Sequence, residues 1–304
     1  MCEPASFVVT KKQVFWSKNS DSHEDIIQEF DLKEMDVRNN PTFIRVEIVP
    51  PERDYRLPFS KWNYKLDQDI KPEWYDEKEV ESRCRACLKD WRKSNVVMPE
   101  ETINSLKDYK AAVYGTIKSV YAGTIGYVYA GTIEYVSGGT IGYVDGGTIE
   151  SVHAGTIKSV YAGTIGYVDG GTIESVHGGT IESVYAGTIK SVYAGTIEYV
   201  YAGTIESVHG GTIEYVDGGT IKSVYAGTIE YVRGGMIEYV SGGTIKSVEG
   251  GTIKYVNGKL PTQITGNATI ISYGSLSKDI LASSKAVLID RSGCVVVCHV
   301  GVDK

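Results

Sequence analysis

The chain has 304 residues, enough for two or three folded regions, and a globular composition apart from an excess of Gly and Tyr. Its net charge of −7 sits almost wholly in the middle: residues 115–257 hold thirteen Asp/Glu and seven Lys/Arg, a balance of −6, leaving −1 for the rest. There is no basic stripe for nucleic-acid phosphates, no apolar run of the ~18 residues that a membrane span needs, and no basic-then-apolar leader. Nucleic-acid binding, membrane insertion and secretion are therefore not expected, and a cytoplasmic setting is.

Residues 1–110 read as an α+β domain. Ser6–Thr10 and Gln13–Trp16 form a strand pair turned at Lys11-Lys12. Residues 22–30 read as a helix opened by an Asp/Ser cap. Phe43–Val49 alternates as a strand and stops at Pro50-Pro51. Trp62–Leu66 is a further strand, and Asp76–Lys93 is a charged amphipathic helix.

Residues 111–257 are a different kind of sequence. From Gly115 an eight-residue phrase, Gly-Thr-Ile-x-(Tyr/Ser)-Val-x-(Ala/Gly), repeats eighteen times without insertion or deletion. Ile and Val are invariant, and Thr fails once, at Met236. Invariant apolar positions face a core, and positions that accept either charge sign face water. Small residues before every Thr would break a helix at ~1 kcal/mol per Gly, whereas Thr, Ile, Val and Tyr favour strands and Gly pairs favour turns. Each unit is thus one short strand and one turn, coiled into a β-solenoid. Ile and Val are three apart, so a bend inside the unit or a core on both sides must reconcile them. The phrase at Asp145–His153 recurs at Asp169–His177, twenty-four residues on, which favours three units per coil; two per coil is the flatter alternative. Three would give six coils at ~4.8 Å, a rod of ~29 Å.

Residues 258–304 read as a C-terminal β cap with strands at Ala286–Asp290 and Cys294–Val300, which would cover the open end of the solenoid. The expected fold class is mainly β: an octapeptide-repeat β-solenoid with a small N-terminal α+β domain and this cap.

In the variable position after Val, seven residues are Tyr: Tyr121, Tyr129, Tyr161, Tyr185, Tyr193, Tyr201 and Tyr225. A column of Tyr amid charges is a candidate recognition surface, because Tyr offers a large amphipathic contact at low entropy cost. The plainer alternative is that stacked rings brace the solenoid. One Thr per unit among charged and aromatic neighbours argues against an ice-binding face, and mimicry of DNA by the acidic repeat is a minor alternative to simple solubility.

Catalysis has one candidate. Removal of Met1 would give Cys2 a thiol beside an α-amino group of pKa ~7.7 able to act as base, with His23, Asp21, Glu24 and Asp25 near in sequence; His23 equally suits a helix cap. Cys84-x-x-Cys87 has no second Cys or His pair and reads as two buried helix residues rather than a zinc site. Cys294, Cys298 and His299 form no ligand set, and the five cysteines are no disulfide framework. His153, His177 and His209 are surface positions of the repeat. Neither a metal nor a cofactor is expected, and there is no phosphate-cradling loop.

The opening segment carries a resemblance. Met1–Thr10, Val14-Phe15-Trp16-Ser17, Ser20-Asp21-Ser22-His23-Glu24-Asp25-Ile26, Val46-Glu47-Ile48, Asp67-Gln68-Asp69 and Pro72-Glu73-Trp74-Tyr75 are similar to an uncharacterised N-terminal domain of phage and bacterial proteins, as is Ala286–Arg291 near the C-terminus. In that family the domain precedes short tandem repeats of varying type. The resemblance implies a phage or prophage origin and a bacterial host cytoplasm, and it transfers no activity or catalytic residue. The leading expectation is a non-enzymatic binding protein whose Tyr stripe meets a host protein. The alternatives are an N-terminal-cysteine nucleophile enzyme using Cys2 and a self-associating structural rod.

Overall fold

The computed structural model describes residues 4–36, 40–257, 261, 263–273, 281–282, 286–291 and 297–300. Cys2 and Cys294 lie outside them.

The N-terminal part, here the head, is an antiparallel sheet of four strands in the order β2-β1-β3-β4, with β1 Ser6–Thr10, β2 Val14–Phe15, β3 Phe43–Val49 and β4 Asn63–Leu66. Helix α1 (His23–Glu29) starts at Ser22, whose side chain accepts from Asp25 N–H. Helix α2 (Glu77–Asn95) starts at Asp76, whose carboxylate accepts from Glu79 N–H at 2.9 Å. Acids in its first turn and Arg92 and Lys93 in its last suit the helix dipole. Val80, Cys84, Leu88 and Trp91 make one buried face by their spacing. Trp62, Tyr55 and Trp91 meet in the head core, with centroids 5.7–6.2 Å apart. Burial pushes the Cys84 thiol up to about 12, as suits a buried helix residue, whereas Cys87, expected to be buried as well, is only half-buried at the edge of that face.

The repeat is a β-solenoid. Each unit supplies one five-residue strand, from Thr116–Val120 to Thr252–Val256. Successive units fall alternately into two parallel sheets, so a strand pairs with the one sixteen residues on: Thr132 with Thr148, Ile133 with Ile149, Tyr135 with Ser151, Val136 with Val152. A coil therefore holds two units. This corrects the expectation of three: the twenty-four-residue recurrence is a likeness of sequence between units that lie in different sheets. Eighteen units make nine coils, ~43 Å of rod at ~4.8 Å per coil. One sheet begins at Val96–Val97, directly after α2, and lies against the head; the other begins at Thr102–Ile103. They are called the head-side and far sheets below. Pairing continues past the regular repeat through Thr269–Ser272 to Val287–Asp290, and Val297–Val300 closes the head-side sheet antiparallel.

The Ile–Val puzzle is resolved inside the unit. Rungs run Thr–Thr and Ile–Ile, skip the residue after Ile, and resume at Tyr/Ser and Val. The break turns two residues outward together and brings Val back to the inner side, so Ile and Val columns of both sheets share one core. Each buried side chain contributes about 1.5–3 kcal/mol before entropy. The Gly before Thr makes the turn. Gly147, for instance, has φ +73°, and a Cβ on it would lie 2.3 Å from the carbonyl oxygen of Gly131 in the preceding coil. Both the conformation and the close stacking exclude a side chain there.

Candidate functional site

Two features stand out, one at the joint of head and rod and one along the rod. The head core continues into the first coil through Ala111, Ala112 and Tyr114. The Tyr114 hydroxyl accepts from Tyr55 N–H (3.2 Å) and contacts the Arg53 carbonyl oxygen at 3.3 Å. Beside this joint the two parts do not fill the space between them. A cleft of about 480 Å³ remains, walled on the head side by Pro4, Asp21, Ser22, Arg53 and Lys65, and on the rod side by Tyr109, Tyr127, Tyr143, Lys158 and the strand backbone at Gly126 and Gly142.

Asp21 is buried here. Its Oδ1 accepts from Trp91 Nε1–H (3.1 Å) and Ser6 N–H (3.3 Å), whereas Oδ2 has no hydrogen-bond partner among the described residues. Burial raises its pKa to about 6, against the opposing pull of the Tyr109 hydroxyl and these two donors. Arg53 donates to the Tyr127 hydroxyl and lies 5.2 Å over that ring. Lys65 Nζ holds the buried Glu47 carboxylate at 2.9 Å.

His23, expected as a candidate base, is fully buried in the head. Its Nε2 lies 3.2 Å from Val46 O and its Nδ1 3.2 Å from Asp67 Oδ2. His23, Glu47 and Asp67 hold one ligand atom each within 4.8 Å of one another, but the Lys65 ammonium already supplies the cation to this group. His23 does not line the cleft, whereas Asp21 does.

The second feature is an aromatic ladder on the rod. Tyr114, Tyr129, Tyr127, Tyr143, Tyr161, His177, Tyr193, His209 and Tyr225 follow one another, and Tyr239, Tyr255 and Tyr273 extend the row. From Tyr161 to Tyr225 each centroid step is 4.8–5.1 Å and neighbouring planes lie within 6–13°. A shorter ladder joins Tyr167, Tyr185, Tyr201, Tyr199, Tyr215 and Tyr231 on the far-sheet side. Arg233 caps it, 4.3 Å over Tyr215.

The seven tyrosines singled out from sequence are thereby divided. Tyr129, Tyr161, Tyr193 and Tyr225 follow head-side strands, and Tyr121, Tyr185 and Tyr201 follow far strands. Tyr129 is tucked under the head with its hydroxyl unpartnered among the described residues; the other six are exposed. What the sequence reading missed is that the ladder changes columns. Where the residue before Val is Ser, the one after it is usually aromatic; where it is Tyr, the one after is usually not. Fifteen of the eighteen units thus place one Tyr or His ring, the exceptions being Tyr127/Tyr129, Tyr199/Tyr201 and Ser247/Glu249. Rings in successive coils meet because either position reaches the same edge. Gly126 and Gly142 were missed as well. Their signal is that Gly stands in two coils running where the same column otherwise holds Lys or Glu.

No family model matches the chain, and no curated protein does. Among solved structures, "Crystal Structure of the polySia specific acetyltransferase NeuO" aligns with 66% of this chain and 86% of its own at 8% identity, with a TM-score of 0.12. A superposition that poor carries no argument about activity. The class defined by the structure itself is a tandem-repeat β-solenoid with a small α+β head, and no helix among the described residues is long and apolar enough to cross a membrane.

Proposed function

We propose that this chain is a non-enzymatic binding protein, with the head-side ladder as its recognition surface. The observation that carries this reading is the orientation of the rings. Neighbouring coils occupy their faces, so what remains for a partner is a line of ring edges, phenol hydroxyls and imidazole nitrogens at the coil spacing. Stacking alone needs only rings, and Phe would supply them, yet all five Phe residues precede the repeat. A row of polar-edged rings already held by stacking from Tyr161 to Tyr225 costs little entropy to immobilise on binding. The resemblance of the opening segment to phage and bacterial domains supports a phage-encoded product acting on a host protein in the bacterial cytoplasm.

The test separates recognition from bracing. Replacing Tyr161, Tyr193 and Tyr225 together by Phe keeps the stack and removes three exposed hydroxyls. The expected result is an unchanged melting temperature with loss of the partner that the wild-type chain retains from a bacterial host extract. Capture equal to wild type, or concentration-dependent self-association with no other partner, would show that the ladder is a brace or an assembly surface.

A further inference from the structure

We propose that the cleft between head and rod binds a small, flat, amphoteric ligand, with an anionic group on Lys158, an N–H donor on Asp21, and a ring resting on the bare backbone at Gly126 and Gly142. The proposal does not rest on the ladder being a recognition surface.

The first argument is a missing partner. Along the head-side sheet the residue after Ile alternates in sign from Lys158 through Glu174, Lys190, Glu206, Lys222 and Glu238 to Lys254. Each later lysine pairs with the glutamate one coil before it: Lys190 with Glu174 at 3.2 Å, Lys222 with Glu206 at 3.0 Å, and Lys254 with Glu238 at 3.8 Å. The position one coil before Lys158 is Gly142, and Lys158 makes no ion pair among the described residues. It stands on the cleft wall instead.

The second argument is the opposite charge on the other wall. Asp21 is 7% exposed; the Tyr109 hydroxyl on the cleft wall interacts with its carboxylate, but Oδ2 makes no full hydrogen bond among the described residues. A buried acceptor left unmade is costly, and native structures satisfy nearly all such groups. One wall thus holds a cation without an ion pair among the described residues and the other a carboxylate oxygen short of a full hydrogen bond, so a ligand bearing both complements satisfies both. Arg53 and Lys65 are held by Tyr127 and Glu47 and shape the walls.

The third argument is space. The volume of about 480 Å³ falls in the usual range of ligand pockets, about 300–1,000 Å³. Glycines at 126 and 142 clear side chains from the floor, and the head does not fill the room they leave. Bare backbone in a strand marks close approach by another group, and a flat ring fits a flat strip of peptide.

Two sources share this chemistry: nucleoside monophosphates, with a phosphate and base N–H groups, and free aromatic amino acids, with a carboxylate and an ammonium. The experiment titrates the full-length protein with each set by calorimetry. One-to-one saturable binding in either arm is expected and names the source. Lys158→Gln, at an exposed position, should weaken that binding about tenfold or more, the loss of a charge-assisted hydrogen bond. The same variant should leave unchanged the weaker binding of the nucleoside, which lacks the anionic group, and should not weaken that of the amino-acid amide, which keeps only its ammonium. Asp21→Asn should weaken both forms; if it fails to fold, Lys158→Gln still decides. No saturation in either arm at millimolar concentration means a cleft filled by water only, and this outcome, or wild-type affinity in Lys158→Gln, overturns the proposal.

Discussion

The two sheets of the rod are built from one eight-residue phrase, yet they carry different charge. On the head-side sheet the residue after Ile runs Gly126, Gly142, then Lys and Glu in strict alternation to Lys254. On the far sheet it runs Lys118, Glu134, Glu150, Gly166, Glu182, Glu198, Glu214, Glu230 and Lys246. The first column neutralises itself rung by rung; the second is acidic nearly throughout, with Lys246 pairing Glu230 at 2.6 Å at its end. A two-unit coil makes this possible, because odd and even units never share a sheet. The inner Ile and Val are common to both, so the fold is indifferent to what each face displays.

The hand-over between sheets is the most vulnerable point of this arrangement. Gly147 turns the chain from the head-side strand Thr140–Val144 to the far strand Thr148–Val152. Gly147→Val meets both the positive φ and the Gly131 carbonyl. A loss of several kcal/mol is expected, on the order of the ~3–5 kcal/mol seen for the most damaging substitutions, read as a fall in the midpoint of denaturant unfolding. An undiminished midpoint would mean that the turn can adopt another path.

Only the head-side sheet has the head above it, and Asp21 in that joint gives the pair its clearest pH dependence. Its folded pKa of about 6 lies above the ordinary 3.8. The folded chain therefore holds this proton more tightly than the unfolded one, and the contribution is full below pH ~4 and lost as pH rises through ~6. The difference is about 3 kcal/mol at most. Asp21→Asn should flatten this component between pH 4 and 6, although it also alters the contacts with Ser6 N–H and Trp91 Nε1–H. A pH profile identical to wild type would show that Asp21 is not the group responsible. By the same sign, a ligand that donates an N–H to the carboxylate should bind more tightly above pH ~6 than below it.

Much of this was legible in the chain. Strand Phe43–Val49 and the cap at Ser22 follow from alternation and cap chemistry, and the Ile and Val columns follow from invariance; Asp76, read as the first residue of its helix, is instead its cap. The coil size was misread because the Asp145–His153 recurrence measures likeness between units, not contact between them. The informative signal was the sign alternation at sixteen-residue spacing from Lys158 to Lys254, which only stacking neighbours require. The cleft was out of reach, because nothing in local pattern brings Asp21 to Gly142. Its one trace was the absent glutamate before Lys158.

The smallest effect is the most direct test of the contrast between faces. Glu214 stands between Glu198 and Glu230 on the far sheet, so Glu214→Lys replaces two like-charge neighbours by two opposite ones. Glu206 stands between Lys190 and Lys222, so Glu206→Lys does the reverse and breaks the 3.0 Å pair with Lys222. The substitution is chemically the same, the strand position is the same, and the core beneath is the same. Each exposed pair is worth about 0.2–1 kcal/mol, so the first variant should melt slightly above wild type and the second slightly below. Both shifts should shrink toward zero at about 1 M salt, where screening reaches ~3 Å. Shifts of the same sign would mean that helix-free strand propensity or solvation, not the charge of the neighbouring coils, governs these columns, and the distinction between the two faces would then have no energetic content.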